Sequence, residues 1–303
     1  MKILSPAKIN LFLQVTGKRS DGYHELVTLM SCIGLYDVLT FHFDTPGISV
    51  SCDSHEVPDN EDNLVYKAAD LFYDRLTKGS TDHTGSEKSR GVSIFIEKHI
   101  PVAAGLGGGS SNAGRTLLYL NQYHGLPFSA AELNGMGLAI GADVPFFLQE
   151  KPALATGIGE CLEIYKGLPV LWMVVVCPHF SVSTAAVYKK LNLGLTKCKK
   201  KLKSFLLNKQ RFDPRCHLCN DLEAVTESEY PVIKTIKEAL LSHGALGALM
   251  TGSGPAIFGL FSDSNTASKA SHALFRTHKW KMHLADMITQ GTGYQIQDSG
   301  YKI

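Results

Sequence analysis

The stretch PVAAGLGGGSSNAG, residues 101–114, sets five glycines and two serines between an apolar run and a helix-like segment. Glycine loses more freedom on folding than any other residue, so such a cluster belongs where a turn or a ligand needs the backbone laid bare. Upstream, VSIFIEKHI (92–100) alternates as a strand. Downstream, SSNAGRTLLYLNQYHG offers a serine suited to N-capping and sets Leu117, Leu118 and Leu120 on a helical stripe. The loop therefore joins a strand to a helix N-terminus, where backbone N–H groups and the helix dipole form a ready site for phosphate. A tight turn lined with small residues is the alternative. No Lys-Ser or Lys-Thr follows the glycines at Walker A spacing, and the loop does not fit G-x-G-x-x-G, so nucleotide bound here is held by another scheme.

Working outward, INLFLQV, LVTLMSCIGLYDVLTFHF and GISVSC read as strands, with SDGYHE as the turn between the first two. NLVYKAADLFYDRL (63–76) has helical spacing, and the polar 77–91 that follows reads as an exposed loop or short disordered insertion. SAAELNGMGLAIGADVPFFL predicts a helix ending near Gly141, with Asp143 just beyond it. In the second half, PALATGIGECLEI and the apolar run 168–178 read as strands, and STAAVYKKL as a helix. YPVIKTIKEALLSHG and SNTASKASHALFRTH read as two more helices, and ALGALMTGSGPAIFGLF as strand, turn, strand. Elements of both types alternate along the chain without a fixed repeat, which argues for α+β or α/β in two lobes.

A chain of 303 residues with 44% hydrophobic residues can build a sizeable core. Its 30 basic and 28 acidic residues leave a charge of +2, too little for general nucleic-acid binding. Seven basic residues at 197–211 meet no acidic one and form either a solvated helix face or a patch that attracts anions. The apolar run 168–178 is about half of the ~20 residues a membrane span needs, and the N-terminus lacks a signal-peptide pattern. Seven unevenly spaced cysteines do not suggest a disulfide framework, so the expected location is cytoplasmic. The lone CHLC pair at 216–219 has no second half of a zinc site.

Asp143 in GADVPFF stands among apolar neighbours, where an unpaired charge is costly, and it needs a cation. Lys8 offers one: a lysine inside an apolar strand pattern is rare unless paired or functional, the alternative being a surface lysine. Tyr23 and His24 in DGYHEL suit stacking on a planar ring and bonding its edge, or make an ordinary capped turn. TGSGP at 251–255 is a hairpin turn or a ligand loop.

Taken in order, SPAKINLFLQV, PVAAGLGGGSSNAG and MTGSGPAIFGLF resemble the three motifs of the GHMP small-molecule kinases, across essentially the whole chain. The resemblance implies an α+β, two-lobed fold. Residues 1–153 would form an ATP-binding domain like domain 2 of ribosomal protein S5, and residues 154–303 a ferredoxin-like substrate domain. PAKINLFLQVTGKRSDGYHEL, GADVPFFL and CNDLE point further, to members that move the γ-phosphate of ATP to the 2-hydroxyl of a methylerythritol unit carried on cytidine diphosphate. Such enzymes serve the non-mevalonate isoprenoid route.

Carried over residue by residue, the resemblance makes Asp143 the catalytic base and Lys8 the cation beside it. ATP would lie on Pro101, Ala103, Ala104, Gly105, Leu106, Gly107, Gly108, Gly109, Ser110 and Ser111, with Asn63 and Leu64 at the adenine. Tyr23 and Tyr188 would sandwich the cytosine and His24 would bond its edge, with Asn10 and Thr184 near the rest of the substrate. Mg²⁺ assists the transfer; its protein ligand is open, Ser110 being the candidate. The partner is a small molecule, with no nucleic acid and no membrane, on a monomer or homodimer. Other GHMP alcohols such as homoserine or mevalonate fit the DGYHEL turn less well, because they carry no nucleobase to stack. A binding module without catalysis would have no need for the Lys8 and Asp143 pair.

Overall fold

β1 (Lys2–Lys18) and β2 (His24–His42) form one long antiparallel hairpin, closed by a turn in which Gly22 takes φ 92°. The structure, a computed structural model, describes residues 1–43, 45–79, 91–149, 151–196, 198, 211–278, 280–290 and 296–297. The readings made for the polar stretch 77–91 and the basic stretch 197–211 lie, apart from a few edge residues, outside the described residues.

β1 is buried on both faces from Ala7 to Val15, so its three polar residues there, Lys8, Asn10 and Gln14, are buried as well. Ala7, Ile9 and Leu11 point into the central core, so the period of two turns Lys8 and Asn10 the other way. Register shifts interrupt the pairing with β2 at Pro6/Ala7, Asn10/Phe12 and Val15/Gly17. Such bulges re-aim side chains next to a site.

The first sheet continues through β4 (Val92–Glu97), antiparallel to β2, and β3 (Ile48–Cys52), parallel to β4. α1 (Leu64–Gly79), α2 (Gly108–Tyr123), α3 (Ala130–Ile140) and the short α4 (Val144–Gln149) cover one face. Phe41, Val50, Ile94 and Ile96 of the sheet pack there against Ala68, Phe72, Leu117 and Leu120 of the helices. Each such large side chain, fully buried, contributes about 1.5–3 kcal/mol relative to exposure.

The expected division at 153/154 falls inside β5 (Ala153–Thr156), which pairs with β2 and, on its other edge, with β6 (Cys161–Ile164). The whole hairpin therefore extends the first sheet. A second, antiparallel sheet follows, built from β7 (Trp172–Cys177), β9 (Gly247–Met250), β10 (Ile257–Phe261) and β11 (Lys281–Asp286) in the order β11-β7-β10-β9. That order, with helices in the two crossovers, is ferredoxin-like, as expected.

Between β7 and β9 come α5 (Thr184–Lys190), α6 (Pro214–His217), the two-residue β8 (Cys219–Asn220), α7 (Glu223–Glu229) and α8 (Val232–Ser242). α9 (Ser264–His278) links β10 to β11. Ile233, Ile236, Leu240, Ala267 and Leu274 of α8 and α9 pack on one face of the second sheet, and Met173, Val175, Phe258 and Leu260 turn its other face to β1. β8, parallel, and β12 (Ile296–Gln297), antiparallel, both pair with the edge of β1 that β2 leaves open, so the late chain returns to the first sheet. One disulfide, Cys198–Cys219, joins residues that sequence spacing did not pair. No helix among the described residues is long and apolar enough to cross a membrane.

Candidate active site

The glycine loop leaves β4 and enters α2 through Gly107, whose φ of 70° is the left-handed region that favours glycine. Space also forbids a side chain there, because a Cβ would stand 2.9 Å from the Phe147 ring and 3.0 Å from Cγ of Lys8. Gly105, at φ 79°, lies so close to the Thr251 carbonyl that a Cβ would collide with it. These two positions bring the glycine loop against both the start of β1 and the TGSGP loop. The Lys8 N–H donates to the Leu106 carbonyl at 2.9 Å, and Ala256 N–H donates to Ala104 at 3.2 Å. Three motifs far apart in sequence thus meet at one point.

Two cavities open on either side of the loop. One, of about 350 Å³, is lined by Asn63 and Leu64 at the start of α1, by every residue from Pro101 to Ser110, and by Lys98 and Asn112. The first-turn N–H groups of α2 lack intrahelical acceptors by geometry, and they serve this side of the loop. The larger cavity, of about 740 Å³, holds Lys8, Asn10, Tyr23, His24, Asp143, Thr184 and Tyr188 among its lining residues. Gly105, Gly107 and Ser110 line both, so the cavities join at the beginning of α2.

Beside that junction, against Gly107, the Lys8 side chain is only 5% exposed and its ammonium stands 3.6 Å from Oδ2 of Asp143. Asp143 follows the end of α3 and precedes α4, and its carboxylate is 39% exposed toward the large cavity. Lys8 donates to Oδ1 of Asn10 at 2.7 Å; Asn10 Nδ2 donates to the Thr28 hydroxyl at 2.8 Å, and that hydroxyl donates to the Phe12 carbonyl at 2.6 Å. The Asn10 N–H donates to the Thr251 hydroxyl at 3.0 Å. The lysine is held by a chain of satisfied partners, and this fixes its distance to the carboxylate.

On the far side of the large cavity, the His24 ring packs on Tyr188 with centroids 5.0 Å apart and planes tilted by 31°. Burial, and then the Lys18 ammonium, lower the pKa of His24, so its ring is neutral near pH 7. Burial first, and the Asp143 carboxylate second, push the Tyr188 phenol up to about 12. Tyr23 stands at the rim, 60% exposed. The ring facing Tyr188 in this structure is therefore His24 rather than Tyr23. The Thr184 and Ser253 hydroxyls lie 2.8 Å apart, which joins α5 to the TGSGP loop.

Ser111 departs from expectation. It is fully buried, its hydroxyl accepts from the Ser5 hydroxyl at 2.7 Å, and its N–H donates to the Gly107 carbonyl. Adjacent helix residues point about 100° apart, so Ser110 faces the cavities while Ser111 fastens α2 to β1. Thr28 carried no signal in the sequence, and Thr251 and Ser253 stood out only as members of the TGSGP turn. Sequence reasoning passed over Asp37, a charged residue inside the apolar LYDVLTF and so open to the argument that singled out Lys8.

Magnesium takes hard oxygen ligands and keeps several waters. The Ser110 hydroxyl, at the junction beside the helix N-terminus, and the Asp143 carboxylate fit that preference.

Residues 63–151 match the family model described as the GHMP kinases N terminal domain, and residues 200–279 the model described as GHMP kinases C terminal. A protein of Syntrophus aciditrophicus named 4-diphosphocytidyl-2-C-methyl-D-erythritol kinase is 46% identical, over 92% of this chain and 96% of the relative. Its namesake from Syntrophotalea carbinolica is 44% identical, over 94% and 98%. A crystal structure of 4-(cytidine 5'-diphospho)-2C-methyl-D-erythritol kinase superposes with a TM-score of 0.76 at 33% identity, covering 95% of this chain and 99% of that one.

Proposed function

The chain belongs to the 4-diphosphocytidyl-2-C-methyl-D-erythritol kinases of the GHMP kinase family, and on that premise we propose that it phosphorylates the same compound. ATP supplies the γ-phosphoryl group, the 2-hydroxyl of the methylerythritol unit accepts it, and the 2-phosphate and ADP leave. The reaction serves the non-mevalonate (methylerythritol phosphate) route to isoprenoid precursors.

The observation that carries this reading is the Lys8–Asp143 pair in the larger cavity, set beside Gly107, which lines both cavities. Nucleotide in the smaller cavity would present its terminal phosphate at the start of α2. Acceptor in the larger cavity would present its hydroxyl to Asp143. A tertiary hydroxyl is a poor nucleophile at neutral pH, so the Asp143 carboxylate takes its proton as the new P–O bond forms. The Lys8 ammonium, 3.6 Å away, orients that carboxylate by its charge, and its own position is set by Asn10.

Phosphoryl transfer otherwise asks for alignment and charge neutralisation, which the glycine-loop N–H groups and the α2 dipole supply. Mg²⁺, when held by Ser110 with or without Asp143, would neutralise charge developing on the transferred group. Asn63 and Leu64 would border the adenine. Tyr23, His24 and Tyr188 would receive the cytosine, with Thr184 beside the substrate. A cytoplasmic location fits the nucleotide substrates.

The test is product identification: protein, ATP, Mg²⁺ and 4-diphosphocytidyl-2-C-methyl-D-erythritol should give ADP and a new phosphomonoester that phosphorus and carbon NMR place on C2. A phosphate on any other carbon, or no ADP above the protein-free rate, would reject the proposal.

A further inference from the structure

Beneath the glycine loop lies a carboxylate that the mechanism above does not use. Asp37, in the middle of β2, is fully buried and accepts from four donors drawn from two separate segments. Its Oδ1 receives the backbone N–H groups of His99 at 2.9 Å and Ile100 at 2.8 Å, the two residues just before the loop begins at Pro101. Its Oδ2 receives the Lys98 ammonium at 2.7 Å and Nδ2 of Asn112 at 2.9 Å. Asn112 is the fifth residue of α2, two residues after Ser110. One carboxylate therefore grips the glycine loop at its entrance and its exit.

The Lys98 side chain is 7% exposed and also donates to the Ile100 carbonyl at 2.5 Å. Its nitrogen sits against Gly108, where a Cβ would be 3.0 Å away, and the residue lines the smaller cavity.

We infer that Asp37 is a positioning residue for the nucleotide: it clasps both ends of the glycine loop and holds the Lys98 ammonium at the base of the loop. The inference rests on reading the smaller cavity as the nucleotide site. A loop with left-handed glycines at 105 and 107 has many backbone states open to it, and a cradle of N–H groups binds phosphate well only when its geometry is set in advance. Packing of Ala104 and Leu106 in the central core anchors the middle of the loop, while its glycines offer no side chain to pack. Charge-assisted hydrogen bonds to a buried carboxylate are short and directional, and they provide the missing constraint.

The experiment is calorimetric titration of the full chain with Mg²⁺ and a non-hydrolysable ATP analogue, and separately with CDP as a probe of the larger cavity. In Asp37→Asn an amide N–H replaces one acceptor where Lys98 and Asn112 donate. Analogue affinity should fall by at least about tenfold while CDP affinity holds. Should that variant fail to fold because the Lys98 charge is stranded, D37N/K98M strands no charge and carries the same comparison. Its analogue affinity should lie below that of K98M alone, since the loop ends are still unclasped.

Analogue binding in folded D37N equal to wild type, or in the double variant equal to K98M, overturns the role. Parallel loss of CDP and analogue affinity also overturns it, since it would assign Asp37 to general stability. A folded wild type that binds CDP but no analogue would instead reject the nucleotide reading of the cavity, and the clasp with it.

Discussion

The two cavities that meet at Ser110 recognise by different means. Half of the residues lining the smaller are the loop Pro101 to Ser110, in which glycine supplies four of ten and leaves the backbone bare. The larger is lined by side chains gathered from β1, the β1–β2 turn, the end of α3 and α5. A backbone cradle suits a group that every ATP-using enzyme must hold, whereas side chains suit a base and a polyol that only some enzymes must tell apart. The proposed reaction then needs a base close to where the two cavities meet, and Asp143 lies in the larger one, paired with Lys8 beside Gly107.

Each way of breaking this division should damage a different kinetic constant. The largest effect is expected beside the junction. Asp143→Asn keeps shape and removes the base, so kcat should fall by about 10²–10⁴ with little change in either KM, read by coupled ADP release. Retention of most of the wild-type rate would take the base role from Asp143. Next comes the backbone side, where Gly107→Ala forces a Cβ into a left-handed position hemmed in by Phe147 and Lys8. Strain of about 1–3 kcal/mol should raise the KM for ATP, with a smaller change in the KM of the cytidine substrate. Equal changes in both would mean that the loop serves the two cavities alike.

A smaller effect belongs to the side-chain cavity. Tyr23→Ala should raise the KM for the cytidine substrate by the equivalent of about 1 kcal/mol, the low end for stacking, because the ring sits exposed at the rim. The KM for ATP should not move. Smallest is a pH effect. The pKa of His24 is lowered by burial and by Lys18, so its neutral ring persists below the ordinary histidine value of about 6.5. The KM for the cytidine substrate should therefore be flat above neutrality and rise only in more acidic solution, as the ring protonates. Stability carries the same sign, since below about pH 6.5 the unfolded chain takes up this proton more readily than the folded one. In a His24→Gln variant the acid rise should disappear.

The same division explains what could be read in advance. The glycine loop was legible because a backbone site leaves its signature in one contiguous stretch. Lys8 and Asp143 were legible as charges in apolar surroundings, each in need of a partner, and they pair at 3.6 Å. Asp37 obeys the same logic and finds its cation in Lys98, but its other partners His99, Ile100 and Asn112 bond through backbone N–H groups and a neutral amide, which no charge pattern advertises. The sandwich of Tyr23 and Tyr188 was harder, since stacking depends on which neighbour in a turn faces inward. Here His24 meets Tyr188.

Ser110 and Ser111 are indistinguishable as sequence and point about 100° apart once the helix forms, one to the cavities and one to β1. The hairpin of β5 and β6 shows a further limit. Its residues read correctly as strand, but only partner choice assigns them to the first sheet, and partner choice is a long-range property.

The most direct test of the account compares kcat/KM for 4-diphosphocytidyl-2-C-methyl-D-erythritol with that for 2-C-methyl-D-erythritol 4-phosphate, which keeps the accepting hydroxyl and lacks the cytidine. The account predicts a large loss for the shortened compound with the KM for ATP unchanged, because the side-chain cavity alone reads the base. Comparable turnover of both compounds would contradict it, since the larger cavity would then be reading the polyol without the cytidine.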